Sequence, residues 1–180
     1  MQMTELKAEL RDDLPDARGH FGEYGGVFVA GTLMAAGTLG VELILVGQVE
    51  AIRPELRGTG EIPGLRIVDA RDVIEMEDHP AEAVRNKPDA SINVGLRMLK
   101  NGEADAFVTA GNTGAAMAAA LLTLGRVKGI SRPALGLVYS TLAGKQAMIV
   151  DVGANADCRP IHLIQFAHMG AAYMERMFGL

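Results

Sequence analysis

The chain has 180 residues, 49% hydrophobic and 22% charged, which is enough apolar material for one ordinary domain with a sizeable core and the wrong balance for a disordered chain. A formal net charge of −5, from 17 basic and 22 acidic residues with no basic cluster interleaved with aromatics, argues against nucleic acid as a partner and against tight electrostatic attachment to anionic lipid. With Cys158 as the one cysteine an internal disulfide is excluded and a reducing cytoplasm is the natural compartment, while the longest uncharged apolar stretch, Gly114 to Gly125, falls short of the roughly 20 residues of a membrane span.

Residues 1–13 are mainly polar, with more acidic than basic side chains, and lack the apolar core of a signal peptide. Gly19, Gly22, Gly25 and Gly26 then crowd together with Phe21, Tyr24 and Phe28, and no clean strand emerges before residue 36. The change of character near Ala36-Gly37 predicts a boundary there, between a segment 1–36 outside the core and an α/β segment 37–180. From Glu42 onward short β-rich runs alternate with helical segments, the signature of βαβ units and a largely parallel sheet. Strands are predicted at Leu43 to Val46, Leu65 to Val68, Ala106 to Thr109, Leu135 to Tyr139 and Met148 to Val152; several are continuous apolar runs, as expected for strands covered on both faces. The acidic run Glu75-Met76-Glu77-Asp78 before Pro80 reads as a solvated helix entry. Ser91 is placed to cap a helix whose Ile92, Leu96 and Leu99 recur at i, i+4 and i+7, and Pro160 suits the first turn of a helix through Met174. With no further strand after that helix to complete the sheet, the domain is expected to be incomplete.

Two segments carry chemistry. In Ala106-Phe107-Val108-Thr109-Ala110-Gly111-Asn112-Thr113-Gly114-Ala115 an apolar run stops at a Gly-Asn-Thr-Gly turn and an alanine-rich helix begins. Unpaired N–H groups and the helix dipole at such a junction favour a phosphate or a developing oxyanion. Gly111 and Gly114 permit close backbone approach, Asn112 can cap the helix and the Thr113 hydroxyl can donate; a plain strand-to-helix turn is the alternative reading. There is no Walker A lysine-serine pair and no Gly-x-Gly-x-x-Gly fingerprint, so nucleotide binding is not supported. The second segment, Asp151-Val152-Gly153-Ala154-Asn155-Ala156-Asp157-Cys158-Arg159-Pro160, again follows an apolar run with glycine and short polar residues before a helix. Two such loops beyond strand carboxyl ends can form opposite walls of one cleft, although Asp151, Asn155 and Asp157 also serve as ordinary turn or cap residues. Arg132, just before a strand, can reach an anion or bond a neighbouring carbonyl, and Lys145 after Gly144 reads as a solvated lysine in a hairpin-like turn. His20, His79, His162 and His168 show no metal-ligand spacing, so no metal site is expected.

The strings AGNTGA at 110–115, GRVKGISRPAL at 125–135 and DVGANADCRP at 151–160, with LVGQVEAIRPEL at 45–56 and DVIEMEDHPAEAVRNKPDASI at 72–92, occur in order over residues 40–180. This region resembles the phosphate acyltransferases of bacterial phospholipid synthesis. The resemblance implies transfer of a fatty acyl group from acyl carrier protein to inorganic phosphate, without a cofactor, releasing acyl phosphate for a glycerol-3-phosphate acyltransferase in the membrane. It also implies a three-layer α/β fold with a mostly parallel sheet, akin to phosphate acetyltransferase and isocitrate dehydrogenase, a homodimer, and a cytoplasmic location that extends to the membrane periphery. By the same transfer Gly111, Asn112, Thr113 and Gly114 build the phosphate cradle, Asn155 and Asp157 line the opposite loop and Arg132 stabilises the site; no catalytic residue is assigned. An Asp-Ala-Met-Gly-Gly-Asp-His-type loop after the family's first strand is absent, and Arg85-Asn86-Lys87-Pro88-Asp89-Ala90-Ser91 stands where the family often has a basic run before paired serines. The segment LPDARGHFGEYGGVFVAGTLMAA at 14–36 resembles the start of the tryptophan synthase β subunit, without that enzyme's pyridoxal-phosphate lysine context, and this resemblance implies that segment 1–36 is of different origin, joined to the rest near residues 36–40. A non-catalytic phosphate-binding or dimerising α/β piece, associating through the apolar helix Gly114 to Leu124, is the alternative function.

Overall fold

The computed structural model describes residues 40–56 and 64–180, so the expectations for segment 1–36 and its boundary lie outside the described residues. The protein is α/β and divides into two compact units, one ending at Arg71 and one running from Asp72 to Leu180. In the first unit β1 (Leu43–Gly47) and β2 (Leu65–Asp69) pair in parallel, with Leu43 opposite Leu65 and Gly47 opposite Asp69. These are the two predicted runs, where Leu, Ile and Val suit a pleated, covered surface. Helix α1 (Val49–Glu55) packs on both strands. The carboxyl ends of the strands are tied together by Gln48 Nε2, which donates to the Arg71 carbonyl at 2.8 Å, and by the Val49 amide, which donates to Asp69 Oδ1 at 3.4 Å.

In the second unit α2 (Pro80–Asn86), α3 (Ser91–Asn101) and α4 (Thr113–Thr123) pack together over Ile74, Ala83, Val84, Ile92, Leu96, Ala115 and Ala119. Alanine on the buried face of α4 lets backbones come close, and Gly114 takes this furthest. A Cβ there would stand 2.8 Å from Pro80 Cγ, so only glycine allows α2 to seat against the first turn of α4. Asn93 is buried and its amide donates to the Val84 and Lys87 carbonyls, both at 2.8 Å, satisfying the end of α2. Helix α3 begins at Ser91, but its N-cap is Ala90, with no side-chain cap bond. The start is set instead by backbone: Ala90 is fully buried, donates to the Lys87 carbonyl and bridges to Asp72.

Two expectations are corrected. Ala106 to Thr109 forms no strand: Val108 is 90% exposed, and only Phe107 is packed, over Gly95 of α3. An apolar run reads the same whether or not a neighbouring strand exists to pair with it, and among the described residues none does. The second correction concerns β3 (Gly136–Ser140) and β4 (Gln146–Val150), which pair antiparallel, Val138 opposite Met148. The Thr141–Lys145 connection is far too short for the crossover that parallel pairing requires, and it closes on itself through Thr141 N to the Lys145 carbonyl at 2.8 Å. Helix α5 (Pro160–Phe178) lies on β4, with Phe166 and Gly170 buried.

The Gly114 contact is directly testable. Gly114→Val is expected to destabilise the protein by about 1–3 kcal/mol through overpacking against Pro80, read as a lower urea midpoint. An unchanged midpoint would show that α2 and α4 are not held at this distance.

Candidate functional site

The Gly-Asn-Thr-Gly turn does open a helix. The Asn112 side chain is buried, its Oδ1 accepts from the Ala115 amide at 2.9 Å, and its Nδ2 donates to the carbonyls of Glu75, Met76 and Asp78 at 3.1, 3.3 and 3.4 Å. Asn112 is therefore both the cap of α4 and the tie between α4 and the 75–78 turn. The 75–78 run is the solvated helix entry expected, exposed at Glu75, Met76 and Glu77 and leading into α2 at Pro80, and its backbone carbonyls also receive this side chain. The Thr109 hydroxyl accepts from the Gly111 amide at 3.1 Å, tightening the approach to the turn. The amides of Thr113 and Gly114 have no acceptor among the described residues, and Thr113 is exposed. What the turn offers an anion is thus two backbone donors, a hydroxyl and the positive end of an 11-residue helix.

The 75–78 turn is held in its own right. Lys87 Nζ donates to the Val73 carbonyl at 2.8 Å and to Asp78 Oδ2 at 2.5 Å, and the Glu75 amide donates to the same carboxylate oxygen at 2.8 Å. The bond from Lys87, and then that from Glu75, hold the Asp78 carboxyl below the usual aspartate range. Lys87, from the stretch where the family often carries a basic run, is here committed to this turn.

The second loop is built around Asp151, where β4 ends. Its φ of 72° is left-handed, a conformation that strains a residue other than glycine, and it swings both the Asp151 and Val152 amides onto the Leu135 carbonyl, at 2.7 and 3.2 Å. The carboxylate then gathers the loop. Asn155 Nδ2 donates to Asp151 Oδ1 and to the Pro133 carbonyl, both at 2.9 Å, and the Cys158 thiol lies 3.5 Å from Asp151 Oδ2. Arg132 Nη1 donates to the Asp157 carbonyl at 2.7 Å, leaving its other N–H groups for a ligand. Buried His162 accepts the Arg159 amide on Nδ1 at 3.2 Å. Desolvation first, and then the positive charges of Arg132 and Arg159, lower its pKa and favour the neutral ring that this bond needs. The Cys158 pKa is raised, chiefly by desolvation and then by the Asp151 carboxylate.

Arg132, Asn155 and Asp157 are therefore brought together, as are Gly111, Asn112, Thr113 and Gly114, while no hydrogen bond among the described residues joins one group to the other. A family profile described as "Fatty acid synthesis protein" matches residues 21–180. The chain belongs to that family. Among curated relatives, the "Phosphate acyltransferase" of Desulfitobacterium hafniense (strain Y51) is 52% identical over 153 residues, which is 84% of this chain and 45% of the relative. That of Nostoc punctiforme is 49% identical over 155 residues, 86% of this chain and 46% of the relative. That of Heliobacterium modesticaldum is 47% identical over 157 residues, 86% of this chain and 47% of the relative. The chain spans about half the length of the curated relatives it matches. The resemblance carried by the ordered motifs is thereby established.

Sequence reasoning missed the roles of Asp78, Lys87 and His162. Only for His162 was a local signal present, its place three residues after Arg159 at the start of a helix. Two outcomes follow from the electrostatics. The Asp78–Lys87 pair contributes stability in full above the ordinary aspartate value of about 4 and loses it as pH falls through the lower native value. Urea midpoints measured across this range should fall less steeply with acidification in Lys87→Met than in the parent; parallel curves would mean that the pair carries no stability. Alkylation of Cys158 by iodoacetamide should have a pH midpoint above that of an ordinary thiol and shift downward in Asp151→Asn, whereas an unmoved midpoint would separate the thiol from the carboxylate.

Proposed function

We propose that the chain carries the phosphate-binding part of an acyltransferase that moves a fatty acyl group from acyl carrier protein to inorganic phosphate, in phospholipid synthesis. The observation that supports this reading is 46–52% identity over 84–89% of the chain to relatives named "Phosphate acyltransferase". In this reaction a phosphate oxygen attacks the thioester carbonyl carbon, the C–O bond forms, the C–S bond breaks and the thiolate leaves to take up a proton. Neither a covalent intermediate on the protein nor a cofactor is required. What the protein must supply is a held, partly desolvated phosphate and donors in place for the tetrahedral oxyanion.

The free amides of Thr113 and Gly114, with Gly111 at the turn, form the cradle, and Asn112 keeps it in shape rather than donating to the ligand, because its own donors are spent on carbonyls. Arg132 contributes its remaining N–H groups and its charge, and Asn155 and Asp157 shape the facing loop through Pro133 and Arg132. In the full reading the strands belong to a three-layer, mostly parallel sheet of the phosphate acetyltransferase and isocitrate dehydrogenase type, and the working species is a homodimer. The acyl phosphate passes to a membrane glycerol-3-phosphate acyltransferase, with the enzyme in the cytoplasm or at the membrane periphery; no described helix is long and apolar enough to cross a membrane. A second reading, a non-catalytic phosphate-binding or dimerising module, draws on the exposed Leu121, Leu122 and Leu124 at the end of α4 and on the internal use of the Asn112 and Asn155 amides.

The test is formation of acyl phosphate from an acyl carrier protein thioester and inorganic phosphate, trapped with hydroxylamine as the hydroxamate. Arg132→Ala is expected to lower the rate on the order of 100-fold, the usual cost of losing one donor to an oxyanion. Folded protein that binds phosphate by calorimetry but yields no hydroxamate would establish the second reading in place of the first.

A further inference from the structure

Between Asp105 and Asp151 there is no Asp or Glu, yet this tract carries Arg126, Lys128, Arg132 and Lys145 in a chain of net charge −5. Within it, where α4 gives way to the following turn, lies a groove of about 740 Å³ lined by Leu121, Arg126, Val127, Lys128 and Ile130. Its surroundings are apolar and open: Val127 is 74% exposed, Leu122 54% and Leu124 46%. The far wall is pinned from α5, where Gln165 accepts the Ser131 amide at 2.9 Å and donates to the Gly129 carbonyl at 2.8 Å. Arg126 is anchored by a bond from Nη1 to the Ser131 carbonyl, and Lys128 enters no hydrogen bond or ion pair among the described residues. The groove is thus open and mixed in character, with Leu121, Val127 and Ile130 beside the cationic Arg126 and Lys128, and its own tract holds no carboxylate to neutralise them.

We propose that this groove docks an acidic protein, through a segment that sets apolar side chains into the groove and carboxylates against Arg126 and Lys128. Resting on the function proposed above, the occupant is the carrier protein that presents the acyl thioester. Three features select this occupant. The charge is complementary to an acidic partner, and such complementarity governs encounter and register more than burial does. The surface is concave, which seats a protruding segment better than a flat lipid surface. A second copy of the chain paired symmetrically through the groove would set Arg126 and Lys128 against their own equivalents.

The experiment is a binding titration of purified acyl carrier protein against the parent chain, the double variant R126E/K128E and the control K145E, which reverses a lysine of the same tract outside the groove. Binding that weakens with added salt, falls at least about tenfold in R126E/K128E and is unchanged in K145E is the expected result. Circular dichroism spectra of the three proteins should coincide; if R126E/K128E fails to fold, Lys128→Ala and Val127→Ser replace it with the same expectation in smaller degree. Absence of carrier binding, equal loss in K145E, or groove-dependent binding to phosphatidylglycerol vesicles without carrier binding would each overturn the proposal, as would loss of self-association as the sole effect of R126E/K128E. Hydroxamate formation in parallel separates the two readings: groove-dependent carrier binding without acyl phosphate keeps the docking site and discards the reaction.

Discussion

A carboxamide belonging to Asn112 makes the second unit possible in the form observed. Its oxygen closes the first turn of α4 and its nitrogen answers three carbonyls of the 75–78 turn, so that a helix end and a loop more than thirty residues away in sequence satisfy each other. The buried carboxamide of Asn112 would otherwise face the cost of burial without partners. Because the carbonyls come from a turn that Lys87 and Asp78 hold closed, the geometry of the α4 N-terminus rests on a chain of polar contacts, and the alanine-rich packing of α4 against α2 and α3 supplies the bulk around it.

The two polar loops solve the same problem by different means. At 110–114 the Asn112 side chain turns inward, while the first amides of the helix and the exposed Thr113 hydroxyl are left as donors whose position depends on helix geometry. At 151–159 the backbone is turned inward, with two amides on one Leu135 carbonyl, and charged side chains are left near the surface.

Legibility in the sequence followed the range of the interaction. The strands β1 and β2, the helix at Pro160 and the Asn112 cap all rest on signals within a few residues, and each was readable. Failures came where a distant partner decides. Ala106 to Thr109 has the composition of a covered strand and nothing to pair with among the described residues, and Ser91 was displaced as a cap because buried Ala90 already fixes the helix start. The antiparallel hairpin is a different case, because the turn at Gly144 was visible and its short length already ruled out parallel pairing. The candidate site divides the same way. Arg132, Asn155 and Asp157 were picked out by motif and do meet, whereas the meeting of Asn112 with the 75–78 turn has no local trace.

Asp151 carries a consequence of another kind. Glycine is the relaxed choice at a φ of 72°, so an aspartate there holds the backbone above its minimum in exchange for a carboxylate that organises Asn155 and Cys158. Attempts to make this protein more robust by matching each residue to its backbone conformation would choose Asp151→Gly early, and would relax the chain while dissolving the loop's organising charge. Position 151 is therefore where resilience and chemical purpose pull in opposite directions.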